Sequence, residues 1–212
     1  MTGGCFITFE GGEGAGKTTQ VRHLGHWLRA RGIDVVETRE PGGTAGADQI
    51  RRLLVTGAVD RWSPLAEALL LFAARVDHVT RRIRPALAAG RWVISDRFAD
   101  STLAYQGHAL GLGAETVARL ADLTLGDFKP DLTLILDVPA EIGLNRARAR
   151  RGDEDRYERM DPAFHERLRA GFLDIAAGEP ERCRVLDGTA DADRVHHAVT
   201  AAVTERLMVG AS

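Results

Sequence analysis

Gly11-Gly12-Glu13-Gly14-Ala15-Gly16-Lys17-Thr18 matches the GxxxxGKT pattern of a phosphate-binding loop at every specified position. Its flanks fit the same reading. Residues 5–9 (Cys-Phe-Ile-Thr-Phe) are short, mostly apolar and β-prone, as in a buried parallel strand. After the loop, apolar residues recur at Val21, Leu24, Trp27 and Leu28, the spacing of one helical face. Strand, glycine loop and helix start is the order in which backbone N–H groups and a helix N-terminus face an anion. The stretch therefore predicts an α/β fold with a nucleotide at the end of its first strand.

Lys17 carries a second signal. Of the chain's 28 basic residues only Lys17 and Lys129 are lysines. A composition that uses arginine almost everywhere keeps a lysine where a compact ammonium on a flexible stem must sit beside phosphates. A planar guanidinium fork does not fit that role.

At 212 residues the sequence has room for one domain with a full core, and residues 1–212 are read as a single domain. A net charge of −2 gives no bias toward nucleic acid or an anionic membrane, and no apolar run approaches a membrane span. The N-terminus lacks the basic-then-apolar pattern of a signal peptide. Cys5 and Cys183 make no disulfide framework, and no Cys or His pair has zinc spacing. These features point to a cytoplasmic protein that binds neither nucleic acid nor membrane.

Strand-like runs at 5–9, 33–38, 92–95, 132–138 and 184–186 alternate with helical stretches near 17–31, 47–55, 64–89, 115–125, 139–150, 162–177 and 192–208. Ser63-Pro64 and Asp161-Pro162 each read as an N-cap followed by proline at the first helical position. This alternation predicts βαβ units, a parallel sheet and helices on both faces. Ligands of such sheets bind beyond the strands' carboxyl ends.

Those ends carry chemistry. The second leads into Thr38-Arg39-Glu40-Pro41-Gly42-Gly43, a rigid turn with Arg39 beside it. The third ends in Ser95-Asp96-Arg97-Phe98. Asp96 suits the water shell of Mg²⁺, Thr18 suits direct ligation of it, and Arg97 suits bridging two phosphates. Phe72 and Arg75, three apart on a predicted helix, share a face that would stack on a base and grip its edge; read alone, Phe72 suits the core better, since it ends an apolar run. Ser101, Tyr105 and Gln106 bring polar, aromatic and amide groups together before Gly107, where a helix C-terminus is the other reading. The stretch 146–159 concentrates Arg146, Arg148, Arg150, Arg151 and Arg156, either as a solvated face or as a lid whose arginines reach phosphates on closure. Arg146 and Arg150, four apart, share a face, which favours Arg150 with Arg146 supporting and Arg156 as a second candidate.

A GTPase would need Asn-Lys-x-Asp, and the single asparagine, Asn145, is followed by Arg146. A small-molecule kinase fits the length and the arginines. A phosphate acceptor is already ionised and needs no general base, in keeping with the lack of a Ser-His or Cys-His pairing. Over essentially its whole length the chain resembles the bacterial thymidylate kinases. The matching stretches are Phe9 to Thr19, Thr38 to Gly43, Phe72-Ala-Ala-Arg75, Asp96-Arg97, Ala104-Tyr-Gln-Gly107, Gly126 to Thr133 and Asp155-Arg-Tyr-Glu158.

The resemblance implies a three-layer P-loop nucleoside monophosphate kinase-like fold with sheet order 2-3-1-4-5. It implies transfer of the ATP γ-phosphate to dTMP with Mg²⁺, in a cytoplasmic homodimer. It implies ATP phosphates on the loop from Gly11 through Gly16 with Lys17, Thr18 and Thr19, and metal at Thr18, Glu13 and Asp96. The dTMP phosphate falls to Arg39 and Arg97 with Arg51 nearby, the base to Phe72 and Arg75, and the base or sugar to Ser101 and Gln106. Tyr105 falls where the family senses a missing 2′-hydroxyl. Some members carry the stacking aromatic at the position of Leu71, and some carry an arginine where this chain has Gly14; the chain resembles the class whose arginine comes from the lid. A kinase for another deoxynucleotide and a non-catalytic ATP-binding module are the alternatives.

Overall fold

A computed structural model describes residues 3–149 and 154–208. Five parallel strands, β1 (Phe6–Glu10), β2 (Val35–Arg39), β3 (Trp92–Asp96), β4 (Leu132–Asp137) and β5 (Cys183–Asp187), lie in the order β2-β3-β1-β4-β5, as the resemblance implied. Strand parity assigns the layers. Ile7 and Phe9 of β1, Ile94 of β3 and Leu134 and Leu136 of β4 point to one face, where α1 (Lys17–Arg29) and α9 (Ala192–Leu207) cover them with Leu24, Leu28, Val199 and Val203. Phe6, Val93 and Ile135 point to the other face. There they meet α3 (Pro64–His78), α6 (Ala114–Leu125) and α8 (Pro162–Gly178). The same parity sends Thr8, Glu10, Ser95 and Thr133 beneath this second layer, where the Thr8 and Thr133 hydroxyls bond at 2.9 Å.

Both expected N-caps form: Ser63 Oγ accepts from Ala66 N at 3.4 Å and Asp161 Oδ1 from Phe164 N at 2.7 Å. The run predicted at 64–89 is continuous, but α3 passes through a π-helical segment, Val79–Ile83, into the short α4 (Arg84–Ala88). Pro85 supplies no N–H to the preceding turn, which loosens the ladder there. The other reading of 101–107, a helix near its C-terminus, is the one that forms: α5 (Ala99–Thr102) runs into a second π-helical segment, Leu103–Ala109, which passes Gly107. A Cβ at Gly107 would lie 3.1 Å from Leu103 Cδ1, a tight contact with the end of a flexible side chain. The remaining helices are α2 (Ala45–Val55) and α7 (Ala140–Arg148). No helix among the described residues is long and apolar enough to cross a membrane.

Candidate active site

The loop after β1 is held by contacts that only glycine permits. Gly14 has φ +66°, and a Cβ there would lie 1.9 Å from the Gly143 carbonyl oxygen on α7. The approach is mutual, since a Cβ on Gly143 would lie 2.4 Å from the Glu13 carbonyl oxygen. Gly16, at φ +92°, turns the chain into α1. Lys17 folds back over the loop and donates from Nζ to the Gly11 and Gly12 carbonyls at 3.0 and 2.8 Å. Burial, then the nearby Arg97 charge, lower its ammonium to about 8. Glu13 through Thr18 line an open cleft with Thr38, Arg39, Arg51, Asp96 and Arg97, while Thr19 lies in the first turn of α1. Thr18 Oγ1 donates to Asp96 Oδ2 at 2.5 Å, so two of the three residues expected on the metal side come together, while the third, Glu13, turns to Arg97 and Tyr105.

Arg97 stands between this cleft and a second cavity and lines both. Among the described residues it is the only non-glycine with positive φ, 73°, a conformation costly for a branched backbone and retained where surroundings over-determine it. They do so here: its N–H donates to Phe9 O at 2.9 Å, and its carbonyl accepts from Ser95 Oγ at 2.8 Å. Its Nη1 reaches Gly11 O and Ser101 Oγ, and its Nη2 reaches Glu13 Oε1 at 3.1 Å. Burial alone would raise the Glu13 carboxyl, but Arg97 and Lys17 outweigh it and hold the group at about 2. Tyr105 Oη also donates to Glu13 Oε1, at 2.5 Å, and burial pushes that phenol well above its ordinary range. The Glu13 carboxylate is thus engaged with Arg97 and Tyr105. Beneath them Glu10 accepts from Phe98 N at 2.7 Å and Ser101 Oγ at 2.5 Å. Burial, then the Asp100 charge, push its carboxyl upward.

The second cavity is lined by Pro41, Leu71, Arg75, Phe98, Tyr105 and Gln106, among others. A count of Arg75's donors is informative. Its Nε donates to Glu40 Oε2 at 2.7 Å, and its Nη2 to Phe98 O and Thr102 Oγ1, both at 3.0 Å. Glu40 is itself fixed by His78 Nδ1 at 2.9 Å, whose Nε2 meets Thr38 Oγ1 at 2.7 Å. Arg75 Nη1 is buried and has no partner. Gln106 shows the converse: its Nε2 donates to Glu67 Oε1 at 2.7 Å, and its Oε1 is buried without a partner. Arg75 and Gln106 both line the cavity, and each keeps one buried polar atom without a partner among the described residues. Such orphaned groups are costly unless a ligand completes them.

Three expectations are corrected. Phe72 does not line the cavity; it packs in the core with Phe6, Val93 and Phe98, and Leu71 takes the cavity wall. The expected phosphate contact of Arg156 does not form. It is 1 % exposed, donates to the Leu54, Ala58 and Val59 carbonyls at 2.8–3.1 Å and pairs with Glu67 at 2.5 Å. Arg146 donates to the Gly188 and Thr189 carbonyls at 2.7 and 3.0 Å, on the loop after β5, and does not line the P-loop cleft. Arg148 is exposed at the end of α7, and Arg150 and Arg151 lie outside the described residues. Arg39 and Arg51 do stand at the cleft, Arg51 held by Pro41 O at 2.9 Å and Glu154 at 2.6 Å. Ser101 lies where expected, on the cavity wall and under Arg97. Glu10, Glu40, Glu67 and Phe98 are the residues the sequence reading passed over. For the three acids the one signal is a place next to, or at helical distance from, a residue that it did select; for Phe98 it is adjacency to Arg97.

A phosphate-binding loop and a separate cavity share two arginines, Arg51 and Arg97, at the head of a 2-3-1-4-5 sheet. That arrangement defines a P-loop kinase that acts on a nucleoside monophosphate. The chain belongs to the thymidylate kinase family, whose family model matches residues 9–199. It is 58% identical over 207 residues to the thymidylate kinase of Caulobacter vibrioides, covering 98% of this chain and 99% of that one. The thymidylate kinase of Rhizorhabdus wittichii is 51% identical over 205 residues, covering 96% and 99%. The crystal structure of thymidylate kinase from Ehrlichia chaffeensis superposes with a TM-score of 0.76 at 37% identity, covering 95% of this chain and 99% of that one.

Proposed function

We propose that the chain transfers the γ-phosphoryl group of ATP to dTMP, giving ADP and dTDP. The observation that carries the acceptor's identity is the unpaired couple in the cavity, Arg75 Nη1 and Gln106 Oε1. Thymine offers the complementary pair, a 4-carbonyl acceptor beside an N3–H donor. Cytosine reverses both groups, so both protein atoms would stay unpaired against it, and sites built on hydrogen bonds reject such analogues strongly. Arg97, Arg39 and Arg51 supply the cations for the acceptor's phosphate, and Tyr105 closes the sugar side against a 2′-hydroxyl.

An ionised phosphate oxygen of the acceptor attacks the γ-phosphorus, and the bond to the β–γ bridging oxygen breaks. Lys17 and the loop amides hold the donor phosphates and stabilise charge as it spreads. Arg97 can draw acceptor and donor phosphates together because it lines both spaces. Thr18 and Asp96 present hard oxygens 2.5 Å apart, which suit Mg²⁺. Bound there, the ion would neutralise charge on the β- and γ-phosphates. Within a single 1–212 domain, the part of the segment 146–159 that precedes the anchored Arg156 serves as the lid, with Arg150 its candidate cation. The exposed stripe of Leu65, Leu69, Ala73 and Val76 on α3, with Leu123 on α6, supports a homodimer. Cys5 and Cys183 are free, with thiols pushed by burial to about 11 and about 12, which suits a cytoplasmic protein.

Initial rates with ATP and a panel of dTMP, dCMP, dGMP, UMP and thymidine test the proposal. dTMP is expected to be the best acceptor, and thymidine, which leaves Arg39 and Arg97 unpaired, a poor one. Thymidine or dGMP turning over as fast as dTMP would overturn it.

A further inference from the structure

Gln106 can present its oxygen to the cavity only because something holds its amide from behind. We infer that Glu67 is that residue, a specificity-determining positioning group that never touches the acceptor. The inference rests on the proposed reading of the base by Arg75 and Gln106. Glu67 is fully buried on α3 and does not line the cavity. Its Oε1 accepts from Gln106 Nε2 at 2.7 Å and from Tyr157 Oη at 2.9 Å, while Oε2 lies 2.5 Å from Arg156 Nη1. Arg156 is in turn locked by the backbone carbonyls of Leu54 in α2 and of Ala58 and Val59 after it, which pins the carboxylate in place.

The polarity of Gln106 follows. An amide has one face that donates and one that accepts, and a 180° flip exchanges them. With the amide flipped, its oxygen would face the oxygen of an ion-paired carboxylate at hydrogen-bond distance, a repulsive contact. Glu67 therefore forbids the flip, and Gln106 Oε1 is left for an N–H on the ligand. Without a carboxylate at 67 the amide has no preferred sense. The flipped form would donate to the unprotonated N3 of cytosine. A buried acid two helical turns before Arg75 on α3 thus sets which pyrimidine the cavity admits, and the backbone cage of Arg156 keeps it there.

The test compares dTMP and dCMP in the intact protein and in Glu67→Gln, whose amide accepts either sense of Gln106. The expected result is a dTMP KM raised about 10-fold or more with kcat and the ATP KM nearly unchanged. The dTMP-over-dCMP preference in kcat/KM should narrow by at least as much. Equal loss for both acceptors, with the preference intact, would make Glu67 merely structural and overturn the inference. Glu67→Asp retains a carboxylate for Arg156 but withdraws it from Gln106, and decides the question on the same ratio if Glu67→Gln does not fold. In the unaltered protein, the Gln106 side-chain amide protons should exchange slowly with solvent, with dTMP or without it; rapid exchange would also overturn the inference. Gln106→Leu separates the two levels. If that variant keeps the full dTMP-over-dCMP preference, the reading of the base by Gln106 fails, whatever Glu67 does.

Discussion

Replacing Gly14 with alanine should damage both stability and turnover, and its size can be worked from one contact. The new Cβ would lie 1.9 Å from the Gly143 carbonyl oxygen, whereas real Cβ contacts essentially never fall under 3.0 Å. Loop and α7 must therefore part by about 1 Å. Overpacking of this kind costs about 1–3 kcal/mol. The φ of +66° adds about 1–2 kcal/mol for any residue with a Cβ. Together they give roughly 2–5 kcal/mol. At about 2–4 °C per kcal/mol for a chain of this size, the melting temperature should fall by roughly 4–20 °C. The shift also carries Glu13 and Lys17, and a misplacement of about 1 Å can cost ~10²-fold in rate. Calorimetry and steady-state kinetics with ATP as the varied substrate measure both effects. Gly14→Arg should fare worse still, so an arginine cannot simply be moved from the lid to this loop. Wild-type melting and kcat in Gly14→Ala would refute the wedged-loop reasoning.

Three further outcomes follow from the site. Arg75→Ala should raise the KM for dTMP by about 10–100-fold and change the KM for ATP little, since a charged hydrogen bond contributes about 1.5–3 kcal/mol; equal losses for the two substrates would place Arg75 outside the base cavity. Arg156→Ala should lower stability by about 3–5 kcal/mol, because it leaves the buried Glu67 without its cation. A stable Arg156→Ala protein with turnover down more than ~10-fold would return that arginine to the phosphates. The Lys17 ammonium of the free protein titrates at about 8, below its ordinary value, so ATP must bind with uptake of a proton above that pH. The KM for ATP should then climb above pH 8, toward tenfold per pH unit, and a flat profile to pH 9.5 would contradict it.

The strand ends were legible because their chemistry is local. Gly11 to Thr18 and Asp96-Arg97 sit on the loops that the β-α order places at one edge, and Thr18 and Asp96 meet there. Faces were harder to read. Leu71 and Phe72 are both at helical distance from Arg75, and only the side on which α3 packs sends Phe72 to the core and Leu71 to the cavity. A charge run ordinarily marks a solvated surface or a lid, so nothing near Arg156 announces its burial. Its cage comes from Leu54, Ala58 and Val59, about a hundred positions away. Glu10, Glu40 and Glu67 were passed over for a related reason. An acid in a strand or helix looks like surface until its buried partners are known, and here each one fixes a residue that touches the ligand space.

The central claim is that Arg75 and Gln106 complete their unpaired atoms on a thymine edge while Arg97 joins the two phosphate sites. A crystal structure of the complex with dTMP and a non-hydrolysable ATP analogue tests it most directly. The account predicts Arg75 Nη1 on the 4-carbonyl, Gln106 Oε1 on N3–H and Arg97 in contact with the dTMP phosphate, each within about 3.2 Å. A base bound elsewhere, or seated with Arg75 Nη1 and Gln106 Oε1 still unpaired, would contradict it.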